Sequence, residues 1–167
     1  MIEDLSKNMD VIQVFNKIRD LPYHCPESLE DNDYRCWGKN RLLFQELKNL
    51  NFEVRFRVCD FLWSEQRVPK EITSKSPKDL DQHLFLEIKL NNQWIILDCS
   101  NDSKLPSFNI WDGKSHCEIA VKYKKIYSPE ESKKLEKQER IEFVKEFNKY
   151  KELYFLMNKF FDKLRLM

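Results

Sequence analysis

The chain contains a cysteine, a histidine and an aspartate in positions suited to nucleophilic catalysis: Cys36, His83 and Asp98. A thiol attacks a carbonyl carbon efficiently only as the thiolate, which a helix N-terminus or a neighbouring imidazolium stabilises. Cys36 follows a polar loop and opens a predicted helix, where the helix dipole favours a negative charge. The four other cysteines have no comparable position: Cys25, Cys59, Cys99 and Cys117.

A predicted hairpin brings His83 and Asp98 together. Alternating apolar residues on both sides of a two-residue turn at 91–92 are typical of a β-hairpin. If Leu90 faces Gln93 across that turn, His83 and Asp98 become diagonal neighbours on one face, about 7 Å apart. A slip of one residue would put them on opposite faces. The other face is consistently apolar, so this polar pair lies off the more apolar face of the sheet.

The hydrophobic periodicity assigns Cys36 to a helix and the other two residues to strands. Apolar residues at helical spacing predict helices over 8–20 and 36–50, and a third from 128 to near the end that is broken or bent once. Alternation predicts strands over 53–61, 83–90 and 93–98, with a further candidate strand at 118–123. The segments 22–35 and 64–81 are predicted to be loops.

Five segments resemble the transglutaminase-like superfamily of papain-type cysteine enzymes. The segment 34–43 (YRCWGKNRLL) is similar to the family's nucleophile segment, in which a cysteine, often followed by tryptophan, opens a helix. Residues 47–57 (LKNLNFEVRFR) resemble the end of that helix and the next strand. Residues 83–88 (HLFLEI) and 93–98 (QWIILD) resemble the histidine strand and the W-x-x-L-D return strand. Residues 18–23 (IRDLPY) resemble the helix end before the cysteine loop, and the similarity covers roughly residues 8–100.

This resemblance implies an α+β fold with a papain/transglutaminase-like core, in which the nucleophile helix packs on an antiparallel sheet. The catalytic core would span residues 1–127. A C-terminal helical extension, residues 128–167, would pack on that core within a single domain overall.

Carried onto this sequence, the resemblance implies that Cys36 is the nucleophile, that His83 is the general base and later the acid, and that Asp98 holds the imidazole. Such a triad carries out acyl transfer through a thioester. The oxyanion hole would include the backbone N–H of Cys36, with Tyr23 and Trp37 as candidates for the second donor. We expect a peptide or another amide as substrate, with hydrolysis favoured over transamidation, and no cofactor.

Three positions depart from the family's pattern. Tyr34 stands in place of a glycine, Leu84-Phe85 in place of a small residue and a tryptophan, and Cys99-Ser100 in place of Pro-Thr. None of these changes removes a catalytic group, but they leave the substrate class open.

The same residues also have simpler interpretations. Cys36 could be a buried small hydrophobic side chain, and His83 a structural residue of its strand. The chain would then be a non-catalytic binding or scaffold protein that contacts a protein partner through its C-terminal helix. The pairs 24–25 and 116–117 are both His-Cys and suggest zinc, but no C-x-x-C or H-x-x-x-H spacing accompanies them, so we expect no metal.

Composition and charge narrow the function classes further. The chain has 167 residues, of which 29 are basic and 28 acidic, so it lacks the positive excess typical of nucleic-acid-binding proteins. The five cysteines are odd in number and irregularly spaced, which favours reduced thiols. Acidic residues at the N-terminus and the lack of an apolar run of about 18 residues predict a cytoplasmic protein without membrane contact.

Overall fold

The computed structural model describes residues 2–167, with side chains from position 7 onward apart from position 8. Its helices are α1 (Ile2–Arg19), α2 (Cys36–Asn49), α3 (Lys70–Thr73) and α4 (Pro129–Arg165). Its strands are β1 (Val54–Leu62), β2 (Leu80–Leu90), β3 (Gln93–Leu97) and β4 (Tyr123–Ile126). The strands form an antiparallel sheet in the order β3-β2-β1-β4, so the chain has an α+β fold.

The β2–β3 hairpin has the predicted register, in which Leu90 pairs with Gln93. Asn91 and Asn92 connect the two strands with φ angles of 48° and 63°. A two-residue type I′ turn requires positive φ at both central positions, and asparagine tolerates this region better than most residues. The two asparagines therefore set which residues face each other along the hairpin.

Helices α1 and α2 pack on the sheet through a common apolar core. Its main contributors are Val11, Phe15, Ile18, Leu43, Leu47, Leu86, Ile88, Ile95 and Leu97. Burying a large aliphatic side chain stabilises a fold by about 1.5–3 kcal/mol. This core therefore holds α2 firmly against the hairpin that carries His83.

Helix α4 is continuous over 37 residues, so the break predicted from the sequence is wrong. Ser128 and Glu131 form a capping box at its start, and no proline or glycine follows Pro129 within the helix. One side of α4 is buried against the chain through Phe147, Leu153, Tyr154 and Met157. Neither α4 nor another helix of the described chain has an apolar stretch long enough to cross a bilayer.

The segment 64–81, predicted as an exposed loop, is partly structured. It contains α3, whose Ile72 is buried, and β2 begins already at Leu80. Pairing between β1 and β2 extends as far as Leu62 and Leu80, which explains the early start of β2. The loop is therefore shorter than the polar composition indicated.

Two further elements begin at positions other than those predicted. The candidate strand at 118–123 lies instead at β4, an edge strand that pairs with β1. An edge strand tolerates the exposed lysines Lys124 and Lys125. Helix α1 begins at Ile2, before the predicted start at position 8.

Gly38 lies in the first turn of α2, against the loop that leads into that helix. A Cβ at this position would lie 1.7 Å from the backbone carbonyl oxygen of Asp33. The loop backbone would have to shift to make room for this Cβ, so we expect Gly38→Ala to lower the free energy of unfolding by about 3 kcal/mol.

Gly113→Ala is the matched control. Gly113 has a φ of +83°, and its Cβ would meet only the movable end of the Ile12 side chain, at 2.9 Å. We expect this change to lower the free energy of unfolding by only about 1 kcal/mol. Urea denaturation measures both losses, and equal values would contradict the special role of Gly38.

Candidate active site

Cys36 is the first residue of α2, as predicted. It is 9% exposed and belongs to a buried apolar cluster with Trp37, Val58 and Leu84. The first N–H groups of a helix have no intrahelical acceptor and form the positive end of the helix dipole. The thiol is therefore placed where the backbone favours a negative charge.

The segment that carries Cys36 is held by the buried side chain of Arg35. The Arg35 guanidinium donates to the Asp33 carboxylate at 2.7 and 2.9 Å and to Glu139 of α4 at 3.0 Å. It also donates to the Tyr154 hydroxyl at 3.0 Å. Two carboxylates compensate this buried cation, so the residue before the thiol is fixed to both the loop and α4.

The hairpin brings His83 and Asp98 into direct contact. Nε2 of His83 lies 2.7 Å from Oδ2 of Asp98, and the two residues are 2% and 1% exposed. The Asp98 carboxylate also accepts hydrogen bonds from the Ala120 N–H at 2.8 Å, the Ser100 N–H at 3.0 Å and the Ser100 hydroxyl. These bonds fix the carboxylate, and the carboxylate fixes the imidazole.

The surroundings of the pair favour its charged form. Burial lowers the pKa of His83, but the Asp98 carboxylate and then Cys36 outweigh burial and raise that pKa from 6.5 to about 10. Burial raises the pKa of Asp98, yet His83 and hydrogen bonds from Ser100 and Ala120 outweigh it and lower that pKa. Hydrogen bonding by Cys36 contributes to the shift of His83. Because Nε2 contacts Asp98, Nδ1 is the ring nitrogen that remains available for another partner.

The fully buried Lys39 is one of the residues that the sequence did not single out. Its ammonium donates to the carbonyl oxygens of Arg19 at 2.7 Å, Leu21 at 2.7 Å and Ser100 at 2.9 Å. Burial lowers the pKa of Lys39 from 10.5 to about 8. Lys39 thus joins the end of α1 and the start of α2 to the segment just after Asp98.

Tyr23 and Trp37, the candidates for a second oxyanion donor, both lie beside Cys36. The Tyr23 ring packs on Phe161 with centroids 4.7 Å apart, and burial raises the pKa of its hydroxyl well above 10. The Trp37 side chain is buried, and the Arg41 guanidinium lies 5.3 Å above its ring. Both residues line the same cleft as Cys36.

That cleft has a volume of about 1220 Å³, and Cys36 and His83 lie in its wall. Helix α4 contributes one row of lining residues, and the segments 65–68, 105–110 and 118–122 contribute much of the rest. Aromatic rings are frequent along it: Phe61, Trp63, Phe108, Phe143, Tyr150, Tyr154, Phe160 and Phe161. A substrate would therefore reach the thiol between walls that combine aromatic rings with charged side chains.

The five cysteines are free thiols, and all of them are buried. Burial raises the pKa of Cys25 and of Cys117 to about 12, which leaves both as neutral thiols near pH 7. The His-Cys pairs do not converge, since His24 contacts Asn158 whereas His116 accepts the Ile96 N–H. Among the described residues, no three His, Cys, Asp or Glu side chains are grouped so that they could hold a metal ion.

Comparison of this chain with protein-family models, with curated proteins and with solved structures finds no match. The chemistry of the site is therefore argued from the positions and contacts of its own residues.

We expect the His83 imidazole to remain protonated at pH 8, because Asp98 and Cys36 raise its pKa to about 10. Asp98→Asn removes the countercharge and should lower the midpoint of the His83 titration by about 1–3 pH units. Two-dimensional ¹⁵N NMR of the imidazole measures this, with His24→Gln and His116→Gln used to assign the signals. A His83 that loses its proton near pH 6.5 in the wild type would contradict it.

The raised pKa of His83 makes the free energy of unfolding depend on pH. The folded pKa of His83 lies above the unfolded value and that of Asp98 is lowered, so while Asp98 is ionised the pair stabilises the fold fully up to about pH 6.5. This contribution is lost as the pH rises towards about 10. The free energy of unfolding of the wild type relative to His83→Gln should therefore fall over that range, whereas a constant difference would count against the ion pair.

Proposed function

We propose that this chain is a cysteine hydrolase or acyltransferase of the transglutaminase-like, papain-type class, acting on amide bonds. Cys36 is the nucleophile, His83 the proton carrier and Asp98 the residue that orients it. The observation that carries the proposal is the 2.7 Å contact of His83 with Asp98 beside a thiol at a helix N-terminus, in the wall of one cleft. Such a constellation is recognised by geometry and roles rather than by overall fold.

The first half-reaction transfers the acyl group to Cys36. The thiolate attacks the amide carbonyl carbon, and the carbonyl oxygen takes the negative charge of the tetrahedral intermediate. Collapse of that intermediate breaks the C–N bond, and the imidazolium of His83 gives its proton to the leaving amine. A thioester on Cys36 and a neutral His83 remain.

The second half-reaction releases the acid. His83 takes a proton from water, whose oxygen attacks the thioester carbonyl, and the thiolate leaves. The backbone N–H of Cys36 is one donor for the oxyanion, and Tyr23 or Trp37 is the candidate for the other. An amine in place of water would give transamidation, but water is sufficient, and we propose hydrolysis as the main reaction.

The size of the cleft supports a peptide or isopeptide amide as substrate. Sites for small molecules have volumes of about 300–1,000 Å³, and this cleft exceeds that range at about 1220 Å³. Its walls offer aromatic rings to the groups that flank the scissile bond. A substrate of several residues would fill this space better than a single amino acid.

The reactivity of Cys36 tests the proposal without knowledge of the substrate. We expect iodoacetamide to alkylate Cys36 at pH 6 faster than it alkylates free cysteine, because an ordinary thiol is almost wholly protonated at that pH. His83→Ala should slow this reaction, because the imidazolium no longer stabilises the thiolate. Mass spectrometry of tryptic peptides over pH 4–10 identifies the labelled cysteine.

If Cys36 reacts like an ordinary thiol, or if other cysteines react while Cys36 does not, the catalytic proposal is wrong. The chain would then be a scaffold of the same fold, contacting a partner through α4. Ile141, Val144 and Phe155 are the large apolar side chains that α4 leaves exposed in its interior turns. That surface would be the place to look for the partner.

Two phenylalanines of α4 form a matched pair that tests the cleft. Phe160 lines it, whereas Phe155 is 48% exposed and is not one of its lining residues. With the best substrate from a panel of fluorogenic peptide amides, we expect Phe160→Ala to raise KM about tenfold, through loss of apolar contact. Phe155→Ala should leave KM unchanged, and equal effects of the two changes would exclude this cleft as the substrate site.

A further inference from the structure

The fully buried side chain of Asn40 connects the segments that carry all three members of the triad. Asn40 lies one turn after Cys36 on α2 and is 0% exposed. Its Nδ2 donates to the carbonyl oxygen of Cys36 at 3.0 Å and to that of Leu84, the neighbour of His83, at 2.9 Å. The amide nitrogen thus links the nucleophile helix to the strand of the histidine.

The same nitrogen reaches the segment of Asp98. It donates to the Ser100 hydroxyl at 3.1 Å and lies 3.4 Å from Oδ1 of Asp98. The amide oxygen of Asn40 accepts the backbone N–H of Cys99 at 3.3 Å. Both the nitrogen and the oxygen of the Asn40 amide therefore hydrogen-bond to the turn after Asp98.

These contacts fix the direction of the Ser100 hydroxyl. Because that oxygen accepts from Asn40, its own hydrogen is free to point at Oδ1 of Asp98, to which it donates. Oδ2 of the same carboxylate holds His83. A continuous chain of hydrogen bonds then runs from Asn40 through Ser100 and Asp98 to the imidazole.

Only one orientation of the Asn40 amide satisfies these partners. The flipped amide would direct its oxygen at two carbonyl oxygens, of Cys36 and Leu84, and leave the Cys99 N–H without its acceptor. The amide nitrogen has four acceptors around its two hydrogens, and the amide oxygen accepts from both the backbone N–H and the thiol of Cys99, so this buried group is held in one orientation.

We propose that Asn40 is a positioning residue that sets the distance and orientation between Cys36 and the His83–Asp98 pair. This inference rests on the proposed function and deepens it, since it assigns the alignment of the site to a residue that does not touch substrate. Asn40 holds the helix turn of the thiol, the strand of the imidazole and the turn of the carboxylate in one rigid unit. Its loss leaves every triad member present but less well aligned.

The test compares Asn40→Ala with Gln45→Ala, which removes another amide from the same helix. Gln45 is exposed and donates to Asn49 at 3.1 Å, so its loss affects α2 but not the site. We expect Asn40→Ala to slow iodoacetamide alkylation of Cys36 at pH 6 about tenfold, the size of effect expected from one of the several buried hydrogen bonds that the change removes. Asn40→Ala should also change how the alkylation rate depends on pH, whereas Gln45→Ala should reproduce the wild-type profile.

A purely structural role for Asn40 predicts a different outcome. The melting temperature of Asn40→Ala would fall, but the pH profile of Cys36 alkylation in the folded protein would match that of the wild type, and this result would overturn the inference. If Asn40→Ala does not fold, Ser100→Ala is tested in its place. This change removes the hydroxyl that hydrogen-bonds to both Asn40 and Asp98, but it keeps the hydrogen bonds from Asn40 to the carbonyl oxygens of Cys36 and Leu84. We expect it to slow alkylation in the same direction, and an unchanged profile would also overturn the inference.

The wild type and His83→Ala separate failure of this inference from failure of the proposed function. Suppose that wild-type Cys36 is activated and that this activation depends on His83, but that Asn40→Ala and Ser100→Ala leave the pH profile of Cys36 alkylation unchanged. The proposed triad is then supported, and only the role of Asn40 is wrong. If wild-type Cys36 reacts as an ordinary thiol, the proposed function and the role of Asn40 are both wrong, because there is no aligned pair for Asn40 to hold.

Discussion

The contact between His83 and Asp98 is the constraint around which much of the chain is arranged. Two ionisable side chains are withdrawn almost wholly from water, which costs several kcal/mol for each ion unless hydrogen bonds replace the lost hydration. Ser100 and Ala120 supply those bonds to the carboxylate. The segment after β3 folds back over the hairpin, and its Ala120 N–H gives Oδ2 of the buried carboxylate a second partner beside His83. This contact explains why residues 118–122 line the cleft rather than extend β4.

Helix α4 completes the site because the loop before α2 has little regular structure of its own. In the first half of α4, the Glu139 carboxylate accepts a hydrogen bond from Arg35, the residue that precedes Cys36. Farther along, Asn158 accepts the Cys25 N–H at 2.7 Å and donates to the Cys25 carbonyl at 2.9 Å. Near the end, Arg165 donates to the Tyr23 carbonyl at 2.7 Å. These anchors lie along about 40 Å of helix at 1.5 Å per residue, so a break in α4 would separate them.

The parts of the site that the sequence predicted depend on local rules. The hairpin register follows from alternation around the turn at 91–92, and it alone places His83 near Asp98. Asn40 and Ala120 could not be found in this way, because their partners are distant in the chain. The one local signal for Asn40 was its spacing of four residues from Cys36, which puts both on one face of α2. The continuity of α4, in contrast, has a local signal, since no proline or glycine follows Pro129 within the helix.

Strand β2 carries a second buried ionic cluster, around Glu87, which can be compared with the His83–Asp98 pair. Glu87, four residues after His83, is paired with Arg55 and Arg57 of β1. It does not line the cleft, and no thiol is part of its hydrogen bonds, so joining two strands is a sufficient account of it. His83 differs from Glu87 because it lines the cleft with Cys36, and apolar side chains of similar volume often replace a buried ion pair without loss of stability. What such side chains would not do is keep a proton beside Cys36 at the end of a helix, and that is the property amide chemistry requires.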